Sequence, residues 1–103
     1  MTGSNSPKHD CVPSYKLLGD FWALRIINEL RDSEKRFSQI ERILNDINTA
    51  TLSKRLAKLQ ADGVIIRKEI SRADVVYSLT ERGKLVLPVL DAMDTFALEF
   101  DHK

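Results

Sequence analysis

The apolar residues of this chain change their spacing at Gly63, and this change limits the folds open to it. Before this glycine, apolar residues recur every three or four positions, as they do along one face of a helix. After it, β-branched residues cluster at 64–71 and 75–79, two runs separated by a short turn, which is typical of a β-hairpin. Glycine accepts the left-handed conformation that often ends a helix. The sequence therefore predicts helices first and a two-stranded hairpin second.

The helices before Gly63 have recognisable start signals. Asp20 is a good N-cap for a helix that begins at the next residue. Ser38 and Glu41 have the spacing of a capping box and predict the start of the following helix. A further helix is predicted over 50–62, only a few residues later, and two helices joined by so short a break indicate a helix-turn-helix. The core stripe predicted for the first helix of this pair consists of Ile40, Ile43, Leu44 and Ile47.

A last helix is predicted over 80–100, with a kink at Pro88 because proline lacks an amide hydrogen. Its apolar stripe is longer than the core of a 103-residue chain needs, so we expect it to pair with a second subunit. The alternative is that this helix covers the hairpin within one chain. The predicted fold class is mainly α with a small β-hairpin (α+β), a winged helix-turn-helix with an additional C-terminal dimerisation helix. The predicted dimer-interface residues are Tyr15, Trp22, Val89, Leu90, Met93, Phe96, Ala97 and Phe100.

The net charge of +1 conceals an uneven distribution along the chain. Segment 48–72 carries six bases against two acids, a net charge of +4, whereas segment 73–103 carries three bases against six acids, a net charge of −3. The first segment suits contact with a polyanion and the second does not. The alternative is that these charges only solvate helix faces.

The helix predicted over 50–62 has its three leucines on one side and small or basic residues opposite, Ala57 and Lys58 among them. Small side chains let a helix enter the major groove, and basic ones contact phosphates. We therefore predict that this is a recognition helix and that the wing, at 64–79, lies on the DNA backbone or in the minor groove. The predicted DNA-binding residues are Lys35, Arg36, Thr49, Ala50, Thr51, Ser53, Lys54, Arg55, Lys58, Arg67, Lys68 and Arg72.

Two alternatives stay open for this helix. Arg55 projects towards the flank of the apolar face, so it forms either a structural ion pair or a phosphate contact. The second alternative is that the alanines and lysines have no binding role, because both residue types favour helix formation on any solvent-exposed surface. The hairpin cations beside the same helix favour DNA binding, and the competing function is a winged-helix module for protein interaction or dimerisation.

Other classes of protein are not indicated. No apolar run is long enough to span a membrane and the N-terminus is polar, so we expect a cytoplasmic protein with no membrane partner. The single cysteine, Cys11, cannot form a disulfide within the chain. No catalytic motif or metal-ligand spacing is present, so we predict neither an enzyme nor a cofactor.

Several phrases in the sequence, taken in order, resemble the HxlR-type family of winged-helix regulators. They are Cys11 before a helix, Leu18-Gly19-Asp20-Phe21-Trp22, Arg36-Phe37, Thr51-Leu52-Ser53-Lys54-Arg55-Leu56, Asp62-Gly63-Val64-Ile65, Tyr77-Ser78-Leu79-Thr80-Glu81-Arg82-Gly83 and Leu87-Pro88-Val89-Leu90. The resemblance predicts one HxlR-type domain over 11–103 after a flexible tail at 1–10.

The resemblance implies a homodimeric transcription factor whose terminal helices pair and whose two recognition helices read a palindromic operator in double-stranded DNA. Some members of this type sense oxidants or electrophiles through an N-terminal cysteine. Lys8, His9 and Lys16 favour a thiolate at Cys11, whereas Asp10 opposes it. The two interpretations of Cys11 are therefore a possible redox sensor, responding to an oxidant or small-molecule effector, and an inert thiol.

Overall fold

The structure, a computed structural model, describes residues 16–101. A helical turn at 16–18 comes first. The following elements are α1 (Phe21–Glu29), β1 (Lys35–Arg36), α2 (Phe37–Ile43), α3 (Thr49–Ala61), β2 (Ile65–Ser71), β3 (Asp74–Leu79), α4 (Glu81–Lys84) and α5 (Leu87–Asp101). The strands form an antiparallel sheet in the order β1-β3-β2. The predicted α+β fold class, helices followed by a hairpin, is confirmed.

Helix α1 begins where the sequence predicts and supplies the centre of the core. The Asp20 side chain caps it by accepting a hydrogen bond from the Ala23 amide, with 2.9 Å between Oδ1 and N. Ile26 and Ile27 are fully buried. Two adjacent β-branched residues are a poor intrinsic choice for a helix, so burial, and not propensity, stabilises this one.

The predicted capping box at Ser38 is wrong. Helix α2 starts at Phe37, two residues before the start that a Ser38 cap implies, and the Arg36 amide donates to Gln39 Oε1 at 2.8 Å. The reason is that β1 ends at Arg36, where its pairing with β3 stops, and the chain turns directly into the helix. The Glu41 carboxylate accepts a hydrogen bond from the Thr49 hydroxyl in place of the predicted contact with the helix cap.

The predicted core stripe of α2 is partly wrong as well. Ile40 and Leu44 are fully buried and Ile47 is nearly so, whereas Ile43 is 41% exposed. A short helix followed by a turn buries a narrower arc than the four apolar positions cover, which leaves Ile43 at its edge.

Helix α3 follows the sequence-based prediction closely. The Asn48 side chain accepts from the Thr51 amide at 2.8 Å and caps the helix. Gly63 adopts a φ of 76°, the left-handed conformation predicted for the residue that ends it. Leu52, Leu56 and Leu59 are all buried.

The hairpin is formed by β2 and β3 around a turn at Arg72 and Ala73. Its register shifts between Glu69 and Ser71, which leaves Ile70 as an additional residue in β2. The third strand, β1, pairs with the other edge of β3 and is too short to show any periodicity in the sequence.

The predicted single helix over 80–100 is wrong, because the chain forms two helices. Thr80 caps α4 by accepting from the Gly83 amide at 3.0 Å, and its hydroxyl donates to the Gly63 carbonyl at 2.6 Å. Helix α5 restarts at Leu87, so Pro88 lies in its first turn, where no amide hydrogen is required. The result is a break before the proline in place of a kink at it.

Helix α5 joins the rest of the molecule near its N-terminal end. Leu90 is buried in the core, and Arg31 Nη2 donates to Asp91 Oδ1 at 2.8 Å. That hydrogen bond, with the surrounding carboxylates, raises the pKa of Arg31. Beyond Asp91, every α5 residue whose side chain is described, up to Phe100, is exposed.

Candidate nucleic-acid interface

The outward face of α3 carries the residues that the sequence predicts would face DNA. Ala50, Ser53, Lys54 and Lys58 are exposed, whereas Thr51 is half-buried. Since the leucines of the same helix are buried, the polar face is turned outward by the packing of the apolar one. The result is a convex helix face with small side chains and two lysines.

Two helices of the helix-turn-helix are linked by a polar contact at their junction. The Thr49 hydroxyl, at the first residue of α3, donates to the carboxylate of Glu41 on α2. Because Thr49 is engaged in this way, its side chain positions α3 relative to α2.

Arg55 forms a structural ion pair, one of the two roles that its flank position left open. Its Nε lies 2.9 Å from Oδ2 of Asp20, and both side chains are about one third exposed or less. Asp20 therefore caps α1 and holds α3 against it at the same time. A contact between Arg55 and a phosphate stays a prediction.

Some of the predicted DNA-binding cations already form ion pairs and others do not. Arg67 pairs with Glu69 on its own strand at 3.6 Å. Lys68 and Arg72 are exposed and form no ion pair within residues 16–101, and the same is true of Lys54 on α3. Lys58 pairs with Asp62, four residues further along α3, at 3.0 Å.

Strand β1 brings a further arginine to the wing. Arg36 Nε lies 2.8 Å from Oδ1 of Asp74, the first residue of β3. Arg36 and Arg67 line one cleft of about 390 Å³ beside β3, which extends from Tyr77 to the hairpin turn and also includes Ser38. Sequence reasoning proposed Arg36 and Arg67 separately, and only the three-stranded sheet shows that they are neighbours. Lys35, beside them in the chain, lies 3.5 Å from the Ser33 hydroxyl.

The predicted dimer-interface residues fall into three groups. Val89, Met93, Phe96, Ala97 and Phe100 are exposed on α5, and the rings of Phe96 and Phe100 stack at 5.7 Å. Leu90 is buried in the core of its own chain, and Trp22 is half-buried against that core. Tyr15 and Cys11 lie outside the described residues.

Residues 16–101 contain no group of side chains suited to hold a metal ion and no helix able to cross a membrane.

The model of the HxlR-like helix-turn-helix family matches residues 17–103. This chain belongs to that family. The HTH-type transcriptional regulator YvaP of Bacillus subtilis is 35% identical over 86 residues, covering 82% of this chain and 80% of YvaP. The HTH-type transcriptional regulator YodB of the same organism is 32% identical over 102 residues, covering 97% and 89%.

Solved structures of similar regulators share the fold. Reduced YodB superposes with a TM-score of 0.80 at 30% identity, covering 95% of this chain and 96% of that one. The redox regulator HypR in its oxidized form gives 0.76 at 28% identity, covering 84% and 91%. The chain is a transcriptional regulator of helix-turn-helix type and not an enzyme, as predicted.

The two roles of Asp20 can be separated by mutation. In this HxlR-like chain, Asp20→Asn keeps a good N-cap but removes the charge opposite Arg55, and should cost about 0.5–1 kcal/mol of unfolding free energy. Asp20→Ala removes the cap as well and should cost about 1 kcal/mol more. Urea unfolding measures both.

Arg55→Gln is the matched control for the ion pair. It should cost about as much as Asp20→Asn, and little more when added to that variant, because the pair is already broken. Equal stability of Asp20→Asn and Asp20→Ala would show that the cap contributes nothing.

Proposed function

We propose that this HxlR-like regulator is a homodimer that binds double-stranded DNA in a sequence-specific way. The observation that carries the proposal is the outward face of α3, which is exposed and carries small and basic side chains. The cations of the wing belong to the same basic segment, 48–72. Regulation of transcription by a helix-turn-helix protein requires such a face, and we place its action in the cytoplasm.

The side chains on the outward face of α3 suit a position in the major groove. Alanines at positions 50, 57 and 61 leave room for close approach, while Thr51, Ser53 and Lys54 lie in the first two turns, where recognition helices contact base edges. Lys58, one turn further, is placed for a phosphate. Its pairing with Asp62 is exposed and therefore weak, so a phosphate can replace that carboxylate.

The wing is proposed to track the DNA backbone or the minor groove. Lys68 and Arg72 have no ion pair to break within the described chain, so they can meet phosphates directly. The cleft beside β3 adds Arg36 and Arg67, whose present partners, Asp74 and Glu69, are carboxylates that a phosphate can replace.

The second subunit is proposed to cover the exposed stripe of α5. Taking Phe96 as the reference direction at 100° per residue, Val89, Met93 and Phe100 lie within about 60° of it. Phe96 is 68% and Phe100 63% exposed, and apolar surface of this kind along one helix is typical of a subunit interface. The acidic charge of segment 73–103 suits a position away from DNA.

Regulation through Cys11 is the finer part of the proposal. Its support is the similarity to YodB, which has been solved bound to a quinone and after diamide treatment, and to HypR, solved in reduced and oxidized forms. A quinone needs no second thiol. The Cys11 thiolate, formed by loss of the thiol proton to solvent, forms an S–C bond to a ring carbon. The hydrogen of that carbon moves to one ring oxygen and the other oxygen takes up a proton from solvent, so that the two-electron reduction of the quinone to a substituted hydroquinone is balanced by oxidation of the thiol to a thioether.

Neutralising the cations without ion pairs should weaken the response of DNA binding to salt. The triple variant Lys54→Gln, Lys68→Gln, Arg72→Gln should reduce the slope of log K against log salt by about 0.9 for each phosphate that is no longer neutralised. Titrations of a bound DNA fragment at several salt concentrations measure the slope. Lys84→Gln, which removes a cation from α4, should leave it unchanged. A triple variant with the wild-type slope would contradict the assignment.

A charge placed in the α5 stripe should dissociate the dimer. Phe96→Glu puts a carboxylate at the centre of the proposed contact, where its desolvation is costly, and should convert the protein to a monomer at micromolar concentration. Leu98→Glu is the matched control, since Leu98 is equally exposed but lies about 160° away around the helix. Sedimentation analysis decides, and a wild-type monomer would rule out the dimer.

Cys11 can be tested with a small benzoquinone. Treatment should change the affinity for bound DNA by about tenfold in the wild-type protein, a typical allosteric coupling, and should leave Cys11→Ser unaffected. Mass spectrometry identifies the adduct. Unchanged affinity of the fully modified wild-type protein would rule out regulation through Cys11, failure of the quinone to form an adduct would make Cys11 an inert thiol, and both results would leave DNA binding itself intact.

A further inference from the structure

A cleft larger than the one beside β3 lies on the flank of α3 and borders the outward DNA-binding face at Lys58. It has a volume of about 520 Å³, within the range of small-molecule sites. Three parts of the chain form it: the segment leading into α1 with the first turn of that helix, the C-terminal half of α3 with the residues that follow it up to Val64, and α4. Its lining residues are Lys16, Leu17, Asp20, Ala23, Arg55, Lys58, Leu59, Asp62, Val64 and Arg82.

This flank cleft has an apolar floor and a charged rim. The apolar lining is wholly aliphatic: Leu17 is half-buried, and Ala23, Leu59 and Val64 are buried behind it. The rim carries four cations against two carboxylates, a net charge of +2. An aliphatic surface beside surplus positive charge is complementary to an anion with a hydrocarbon body.

The surplus charge belongs to two identifiable side chains. Arg55 is paired with Asp20, and Lys58 with Asp62, so both carboxylates of the rim are already used. Lys16 and Arg82 also line the cleft and form no ion pair within residues 16–101.

We propose that the flank cleft binds a small aliphatic monocarboxylate. The carboxylate is held by Arg82, whose planar guanidinium can donate two parallel hydrogen bonds, and by Lys16 as a second positive charge. The hydrocarbon chain lies against Leu17, the half-buried member of the apolar lining. An inorganic anion would leave Leu17 partly exposed to water, and a neutral alcohol would leave both cations without a partner.

The proposal goes beyond DNA binding and is tested without DNA. Sodium hexanoate is titrated into the full-length chain at constant ionic strength, and amide chemical shifts are followed by NMR. Saturable shifts should concentrate at Leu17, Leu59, Val64 and Arg82. Acetate, four methylenes shorter, should bind about tenfold more weakly, because partly buried methylenes each contribute less than full burial gives. Hexanol, which has no charge, should bind at least as weakly as acetate.

Variants locate the charge that binds the carboxylate. Arg82→Gln should weaken hexanoate binding at least about fivefold, as expected for the loss of a charge-assisted pair, and Lys16→Gln should weaken it by a smaller factor. Lys84→Gln removes a charge from the same helix outside the cleft and should have no effect. Absence of saturable binding, equal binding of hexanol, or Arg82→Gln and Lys16→Gln both behaving like the wild type would overturn the proposal.

Discussion

Burial of the leucines of α3 against the core determines how the functional surface of this molecule is arranged. Leu52, Leu56 and Leu59 are almost completely removed from water, and each such side chain contributes about 2–3 kcal/mol. The exposed or half-exposed ion pairs of the same helix contribute at most about 1 kcal/mol each. The apolar face therefore decides how the helix is rotated, and the position of every residue on its outward face follows from that rotation.

Ion pairs and side-chain hydrogen bonds on this scaffold have a different role, which is to hold polar side chains in place. Asp20 joins the start of α1 to Arg55 of α3, and Thr49 joins α3 to Glu41 of α2. Around the wing, Arg36 and Arg67 are held by carboxylates that a phosphate can replace at small cost. The molecule can thus keep its cations ordered in the absence of DNA without committing them to protein partners.

The sequence predicted those parts of the fold whose signals are local. The N-cap of α1, the left-handed glycine after α3, the hairpin and the outward face of α3 all depend on neighbouring residues in the chain, and the structure confirms them. Membership of the HxlR-like family was equally predictable, because its motifs lie in order along nearly the whole chain.

The parts that could not be predicted depend on distant contacts. Strand β1 exists because Lys35 and Arg36 meet β3, some forty residues later, and this pairing moves the start of α2 away from Ser38. Gly83 packs so closely on Val64 that an added Cβ would lie 2.1 Å from its carbonyl oxygen, which fixes α4 before the chain restarts as α5. The tail at 1–10, the domain boundary at 11 and the individual DNA and dimer contacts stay predictions.

A symmetric pair of α3 helices that reads DNA would leave its symmetry in the sequences that the protein binds. Selection of bound sequences from a pool of random duplexes, with the wild-type protein, is therefore the decisive experiment. We expect enrichment of two inverted half-sites whose centres lie one helical turn, or a small multiple of it, apart. Enrichment of a single half-site without symmetry, or no enrichment above the starting pool, would contradict this mode of binding.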